Sequence, residues 1–519
     1  MNAGVSLDQQ SDHPYAISRL RRSALLFVAG KGLTAPLNLV TFFLIAARLP
    51  TEQFALYAWL IAVGQLSHQL SFLGLNWAAL HYVPLYRSRI GGRAYRRFLL
   101  VLVATRMIVV IALDAALFVA APLLVAIAGH EAWLPALRLF LVVMAAELIV
   151  EFIRPCIFET LLEQRLSQTN VLIQHVVFLA GLLLALALNG STLSIGVVIV
   201  ARAVALWLAL LAALAQLAHV LRQSTAADAS DPEPGVPVLL RFALDNYTQD
   251  VMRLTASGPL MTMVASRLLD VSGLAAFGFA QHLTGIVDRM LPGQLFLGLL
   301  RPRVIAAYGE DRSFTELRRR VALILKLTIC VLAAVAAVLI AIGPSALALL
   351  AGGRYAATQG LLLTFLLWLA IVSAQGMQSV LTNVLGRSEL LRRASISSLL
   401  VVPVAVALTR AGAGAYGLVV GMIVGAVVCV WLVSNQLAHA GYHLTFDAHG
   451  YGRLAATTAA AAVLGKLVDL ALPPRLWSVT AGVIVTCAAF LVALRLLRPF
   501  APAERRAVET LLGRKLVLL

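Results

Sequence analysis

The sequence has little charge: 13% of its 519 residues are Asp, Glu, Lys or Arg, against 61% that are apolar. About a quarter charged is usual for a soluble domain, so a water-soluble globule is excluded, and with it the several soluble domains that length alone suggests. Cysteine is scarce too. Cys156, Cys330, Cys429 and Cys487 lie far apart in apolar runs without CxxC spacing, which leaves no disulfide framework and no cysteine metal site, only four small buried hydrophobes. Walker A, HExxH, GxSxG and paired-carboxylate motifs are absent, and no outer loop is long enough to form an extramembrane active site. The expectation is therefore a chain that is not an enzyme, with no cofactor and no metal.

Apolar runs are what the sequence has in quantity. A bilayer core of roughly 30 Å needs about 20 apolar residues of helix, and fourteen such segments can be placed, near 24–47, 55–83, 98–128, 134–153, 169–188, 193–221, 239–265, 271–299, 317–343, 358–385, 391–409, 413–438, 454–472 and 476–497. The pattern predicts an all-α polytopic membrane protein, since a barrel would show alternating ten-residue strands. Glu147 and Glu151 interrupt the fourth segment. Residues 1–23 are polar and the first apolar run holds Lys31 without a clear cleavage site, so the first helix is expected to stay.

The excess of 41 Lys and Arg over 24 Asp and Glu gives +17, and its location decides its meaning. Basic residues are retained on the cytoplasmic side of short loops. With odd segments rising outward, cytoplasmic ends and loops hold 28 of the 41, outer loops 5 and segments the remaining 8. That asymmetry predicts both termini in the cytoplasm and explains the charge without nucleic acid. Gln223 to Pro237, with Asp228, Asp231, Glu233 and three prolines, reads as a cytoplasmic linker after six segments. The predicted organisation is an N-terminal lobe at 1–222, the linker at 223–237, a second six-helix lobe at 238–440, and two further helices with a basic tail at 441–519. Six crossings is an even number, so the second lobe enters in the same sense as the first and a pseudo-two-fold axis lies along the membrane normal.

Ionisable and amide side chains inside the segments cost a few kcal/mol against lipid unless they face protein or a wet cavity. Lys31, Thr34, Asn38 and Thr41 share one helical face, and Gln65, His68, Gln69 and Asn76 form a similar stripe on the second segment. Lys31 either meets a substrate or snorkels to the surface. Arg106 and Asp114 lie two turns apart on the third segment, and Arg202 on the sixth is a partner for Asp114. The seventh carries Asp245, Gln249, Asp250 and Arg253, and the eighth Gln281, Asp288 and Arg289. Lys31 and Arg289, at one depth in the two lobes, can together hold a phosphate or pyrophosphate, although Asp250–Arg253 and Asp288–Arg289 ion pairs are an equal alternative. Gln375, Gln378, Thr382 and Asn383 suit either hydroxyl-rich ligands or helix–helix contact. Breakers fall at Gly30, Gly32 and Pro36 in the first segment and at Gly258-Pro259 in the seventh, equivalent places in a six-plus-six repeat.

Taken in order, ARLPTEQFALYAWL (Ala47 to Leu60), SFLGLNWAALHYVPLY (Ser71 to Tyr86), LAAFGFAQHL (Leu274 to Leu283), LLRPRVIAAYG (to Gly309), GGRYAATQGLLL (from Gly352), NVLGRSELL (Asn383 to Leu391) and GAYGLVVG (Gly414 to Gly421) resemble the polysaccharide-transporter, Wzx-type branch of the multidrug/oligosaccharidyl-lipid/polysaccharide exporter superfamily. The resemblance implies two six-helix lobes alternating access, two C-terminal helices flanking a lipid tail, and a flippase for an oligosaccharide on a polyprenyl pyrophosphate in a bacterial inner membrane. It implies as partners the lipid-linked oligosaccharide, membrane lipids and the polymerase and glycosyltransferases of the pathway. A cationic central cavity would map onto Lys31 and Arg289, with Arg106, Arg202 and Arg253 as further cations and Asn38, Gln69 and Gln281 as amides. Lacking an ATP site, turnover would draw on the membrane potential or an ion gradient, with Asp114, Asp245, Asp250 or Asp288 as coupling carboxylates. A drug exporter of the same fold, with an acidic cavity, and a membrane glycan polymerase or ligase are the alternatives.

Overall fold

A backbone in hydrocarbon must satisfy its own N–H and C=O groups, and a helix does so within one segment. The computed structural model describes residues 17–87, 92–190, 192–223, 243–244, 247, 251–252, 254–293, 314–444, 447–473 and 475–506, and every regular element among them is helical. Among the described residues nine helical stretches are long and apolar enough to cross a membrane; Glu389–His439, 51 residues long, contains more than one helix. The chain divides into two compact units, Met1–Leu254 and Thr255–Leu519. The predicted linker lies outside the described residues beyond its first position.

The N-terminal unit contains α1 (Ile17–Arg48), α2 (Thr51–Ser71), α3 (Leu75–Arg87), α4 (Gly92–Ala128), α5 (Leu134–Ile153), α6 (Gln164–Asn189) and α7 (Ile195–Gln223). α1 packs on α6, α6 and α5 on α7, and α4 on α5. Two expectations are corrected here. The predicted second segment is two helices, because Leu73 and Gly74 have left-handed backbones (φ 46° and 76°) and a Cβ on Gly74 would meet the Ala243 carbonyl. Conversely, Gly30, Gly32 and Pro36 do not interrupt α1, which runs through Pro36 as one helix. Proline removes one ladder bond, and a single lost bond inside a long membrane helix is tolerated.

At one end of this unit, the Gln53 side chain accepts from Ile195 N (2.7 Å) and Leu193 N donates to Arg48 O (3.2 Å), joining the ends of α1, α2 and α7. At the other, Arg87 Nη1 donates to Leu161 O (2.8 Å), fixing the end of α3 to the turn after α5. That turn begins as a π-helix, Arg154–Glu159, with Pro155 in it.

The C-terminal unit contains α8 (Gly258–Leu268), α9 (Val271–Asp288), α10 (Phe314–Leu350), α11 (Gln359–Val384), α12 (Ser388–Ala394), α13 (Val401–Leu408), α14 (Gly414–His439), α15 (Ala448–Ala471) and α16 (Leu476–Leu497). The break at Gly258-Pro259 is present: Ser257 is extended and its hydroxyl accepts from Leu260 N at the start of α8. The eleventh predicted segment is broken too, passing from α12 through a 3-10 stretch (Ser395–Leu400) into α13. α10 joins the halves of this unit, packing on α11 on one side and on α15 and α16 on the other.

Small residues bring these helices close. Gly417, Gly421 and Gly425 on α14 face Thr409, Ala405 and Val401, and a Cβ on Gly421 would fall 2.7 Å from the Ala405 backbone nitrogen. Without a hydrophobic drive between helices in lipid, backbone-close packing of this kind supplies the association. A Cβ on Gly465 would strike both Thr486 and Ala341, so α10, α15 and α16 meet at one point. Gly421→Ile therefore forces α13 and α14 apart; overpacking costs about 1–3 kcal/mol, expected as a lower thermal midpoint of the detergent-purified protein, with Val433→Ile, also on α14, as the milder comparison.

Lys326, on α10, is 2% exposed. Its Nζ donates to Asp447 Oδ2 (2.6 Å) and Glu504 Oε2 (2.8 Å) and lies 5.3 Å from the Phe500 ring centre. The Lys326 hydrogen bond, reinforced by that from Gly450 N, holds the Asp447 carboxyl below the usual carboxylate range. A depressed acid contributes stability that is present above its ordinary value and is lost as pH falls through the lowered one. Breaking a buried pair from one side leaves a buried charge, at about 3–5 kcal/mol, whereas an apolar replacement can be nearly neutral. Asp447→Ala with Glu504→Ala is thus expected to lower the thermal midpoint at neutral pH more than Lys326→Met does, and the difference between wild type and the double-alanine variant to close under strongly acid conditions.

Candidate functional site

The N-terminal unit carries a continuous polar seam. Glu147, Glu151 and Arg154 fall at i, i+4 and i+7 on α5 and its π-helical extension, which places them on one face. On α7, Arg202 Nη2 pairs with Glu147 Oε1 (2.5 Å), beside the buried Tyr57 of α2. Arg154, 4% exposed, donates from Nε to Asn170 Oδ1 (2.7 Å), from Nη1 to Glu151 Oε1 (3.3 Å) and from Nη2 to Gln174 Oε1 (2.5 Å). Asn170 passes the chain on to the Ala209 carbonyl (2.6 Å). At the end of the π-helix, Glu159 accepts from Ser167 Oγ (2.9 Å). Burial pushes the Glu159 carboxyl up, while the Ser167 hydrogen bond and the nearby Lys31 pull it down.

Lys31 therefore stands within electrostatic reach of an acid, and its ammonium lies 5.5 Å from the Phe27 ring centre. Its stripe on α1 does turn inward: Thr34 and Thr41 are buried while Leu33 and Val40 are exposed. Lys31 and Asn38 are half-buried on that stripe, and Gln69 is half-buried on α2.

Arg106 is fully buried. It donates from Nη1 to Ser71 O and from Nη2 to Leu148 O (3.1 Å), between the rings of Phe72 (4.9 Å) and Phe152 (5.6 Å). It thereby serves the carbonyl exposed where α2 stops. Arg202 is engaged by Glu147 and not by Asp114, the partner expected for it. Asp114, half-buried on α4, has an Oδ1 with no hydrogen-bond partner among the described residues.

In the C-terminal unit, Thr262 Oγ1 donates to Gln281 Oε1, holding α9 to α8, and a Cβ on Gly258 would strike that amide. Asp288 is half-buried and Arg289 exposed where α9 ends. Arg253, Asp245 and Asp250 lie outside the described residues. The α11 amides make helix contacts: Gln378 Nε2 donates to Val430 O (3.0 Å) and Ser434 Oγ (2.7 Å), and Gln375 approaches Cys429 Sγ (3.1 Å).

The seam on α5 is not among the sites expected from the sequence, although Glu147 and Glu151 stand out there as interruptions of an apolar run; their four-residue spacing, with Arg154 three further on, is the signal that marks one face. The Glu147–Arg202 pair and the bonds of Arg154 to Asn170 and Gln174 hold α5, α6 and α7 together. Arg202→Met or Glu147→Leu alone strands a charge and is expected to cost roughly 3–5 kcal/mol, while the two together fall close to wild type; thermal midpoints of the four proteins form the double-mutant cycle that checks it.

A family model described as polysaccharide biosynthesis protein matches residues 20–261. No curated protein sequence matches the chain. Among solved structures, a lipid II flippase MurJ in an inward closed conformation aligns at a TM-score of 0.66, with 14% identity, over 91% of this chain and 98% of that one. An inward-facing multidrug resistance MATE family transporter of the MOP superfamily aligns at 0.58 (15% identity, 81% and 98%), and the MATE multidrug transporter DinF-BH at 0.56 (16%, 82% and 96%). The chain thus carries the all-helical fold of these solved structures, with nine helical stretches among the described residues long and apolar enough to cross a membrane.

Proposed function

We propose that the chain is a flippase that moves a polyprenyl-pyrophosphate-linked oligosaccharide across a bacterial inner membrane during polysaccharide synthesis. One conjunction carries the reading: residues 20–261 match a polysaccharide biosynthesis model, and the chain has the fold of a protein that flips a lipid. Fourteen crossings, cytoplasmic termini, the linker at 223–237 and lobes at 1–222 and 238–440 are parts of the same proposal, supported by the distribution of Lys and Arg. Lys31 and Arg289 are the cations assigned to the pyrophosphate, with Asn38, Gln69 and Gln281 toward the sugar. Arg106 and Arg202 act on the backbone and on Glu147, and so shape the site rather than line it. Asp114, Asp245, Asp250 and Asp288 are the carboxylates assigned to ion coupling; the unpartnered Oδ1 of Asp114 supports the first. A polymerase and glycosyltransferases of the pathway are the expected protein partners.

A multidrug exporter is the second reading, favoured by the MATE alignments. Deleting the gene separates the two: loss of surface glycan without a change in sensitivity to cationic dyes supports the flippase, and the reverse supports the exporter. In a deletion strain carrying the gene on a plasmid, Lys31→Glu and Arg289→Glu are each expected to reduce surface glycan at least tenfold at normal membrane levels of protein, with Lys31→Arg retaining most of it. Full export by both charge reversals removes these two residues from the site.

A further inference from the structure

Among the described residues, the chain turns back onto the bundle after α16. Arg498 follows α16 with a left-handed backbone (φ 47°, ψ 63°), and the turn it makes sends Phe500 back into a core of Leu454, Phe490 and Leu494. Ala501 N then donates to Glu504 Oε2 (2.7 Å), Arg319 Nη2 donates to Ala503 O (3.1 Å), and Lys326 grips Glu504. Between this return segment and the start of α15 lies an open cavity of about 350 Å³, lined among others by Asp447, His449, Arg453, Arg498, Phe500 and Arg505.

Three arginines and a histidine line this one cavity, with more donors than the fold's own hydrogen bonds there use. Arg453 Nη1 donates to Arg498 O (3.2 Å) and Arg505 Nε to Phe500 O (3.2 Å), so each is anchored through one nitrogen. The guanidinium fork has further N–H donors suited to two oxygens of a phosphate. The acid in the cavity wall does not neutralise them: Asp447 gives Oδ2 to Lys326 and Oδ1 to Gly450 N. Counting Lys326, Arg453, Arg498 and Arg505 against Asp447 and Glu504 leaves two positive charges, before His449 is considered. Exposed apolar side chains, Val492 and Leu496, occupy the adjoining turns of α16, where acyl chains would continue below a headgroup.

We propose that this cavity binds the phosphate of an anionic phospholipid headgroup and so pins the return segment and the last two helices to the membrane surface. Basic pockets at a membrane face take such headgroups by charge and hydrogen bonding together. The site is separate from the transport assignment and stands whatever the chain carries.

The test uses the full-length protein in a neutral detergent, with thermal midpoint and native mass spectrometry as readouts. Short-chain phosphatidylglycerol, short-chain phosphatidylcholine and inorganic phosphate are titrated against wild type, Arg453→Gln/Arg498→Gln/Arg505→Gln, and a charge-matched control, Arg387→Gln/Arg392→Gln/Arg393→Gln. Phosphatidylglycerol is expected to stabilise wild type and control at concentrations at least tenfold below phosphatidylcholine, and the cavity variant to lose that preference. Should the triple variant fail to fold, Arg453→Gln alone is expected to weaken phosphatidylglycerol binding about threefold. Equal response to the two lipids, or an unchanged preference in the cavity variants, overturns the proposal. A response to inorganic phosphate and none to phosphatidylglycerol overturns the lipid assignment, whereas responses to both that vanish together in the cavity variant support it.

Discussion

A cation that cannot reach water must find oxygen, and most of the N-terminal unit is arranged around that demand. Arg106, with no exposed surface, takes its oxygens from Ser71 and Leu148. The first is available because α2 stops at the Leu73-Gly74 turn and leaves a carbonyl without a helical donor. The break and the arginine complete each other: a continuous helix would consume the carbonyl, and without the arginine the carbonyl would be stranded in an apolar interior. The rings of Phe72 and Phe152 flank the guanidinium and exclude water from it. Two helices packed on α4 are thus held by one side chain.

The same demand extends along α5. Glu147, Glu151 and Arg154 would be intolerable on a lipid-facing helix, so their spacing fixes which side of α5 turns inward and brings α6 and α7 against it. In the C-terminal unit Lys326 does for α10 what Arg154 does for α5, recruiting Asp447 from the start of α15 and Glu504 from beyond α16. The charges hold the helices in register while glycines such as Gly421 and Gly465 let the backbones approach. Neither device works alone, because close approach is not directional and ion pairs are not close-packed.

Most helices are legible in the sequence because hydropathy reports them directly: the apolar runs at 134–153 and 476–497 are α5 and α16, residue for residue. The turn at 72–74 is hidden because Phe72, Leu73 and Leu75 read as part of one apolar segment and only Gly74 marks it. Arg202 finds Glu147 rather than Asp114 because pairing depends on α5 packing against α7, a neighbour relation that periodicity does not contain. The Lys326 latch joins residues 121 and 178 positions apart, and no local pattern predicts such a meeting. The inward face of α1 is readable, since its threonines repeat at helical spacing and each returns its hydroxyl to the helix backbone, Thr34 to Gly30 and Thr41 to Leu37.

Selectivity for an anionic substrate depends on cations that remain uncompensated, which narrows the choice of residues. Among the described residues of the N-terminal unit, Lys31, Arg106, Arg154 and Arg202 are matched in number by Asp114, Glu147, Glu151 and Glu159, so the excess of basic residues across the whole sequence does not carry over into this interior. Arg154 and Arg202 are tied to acids and Arg106 to carbonyls. Lys31 alone combines partial exposure with an acid, Glu159, whose charge is itself weakened by burial. If a phosphate enters beside Lys31, the ammonium must be shared between it and Glu159.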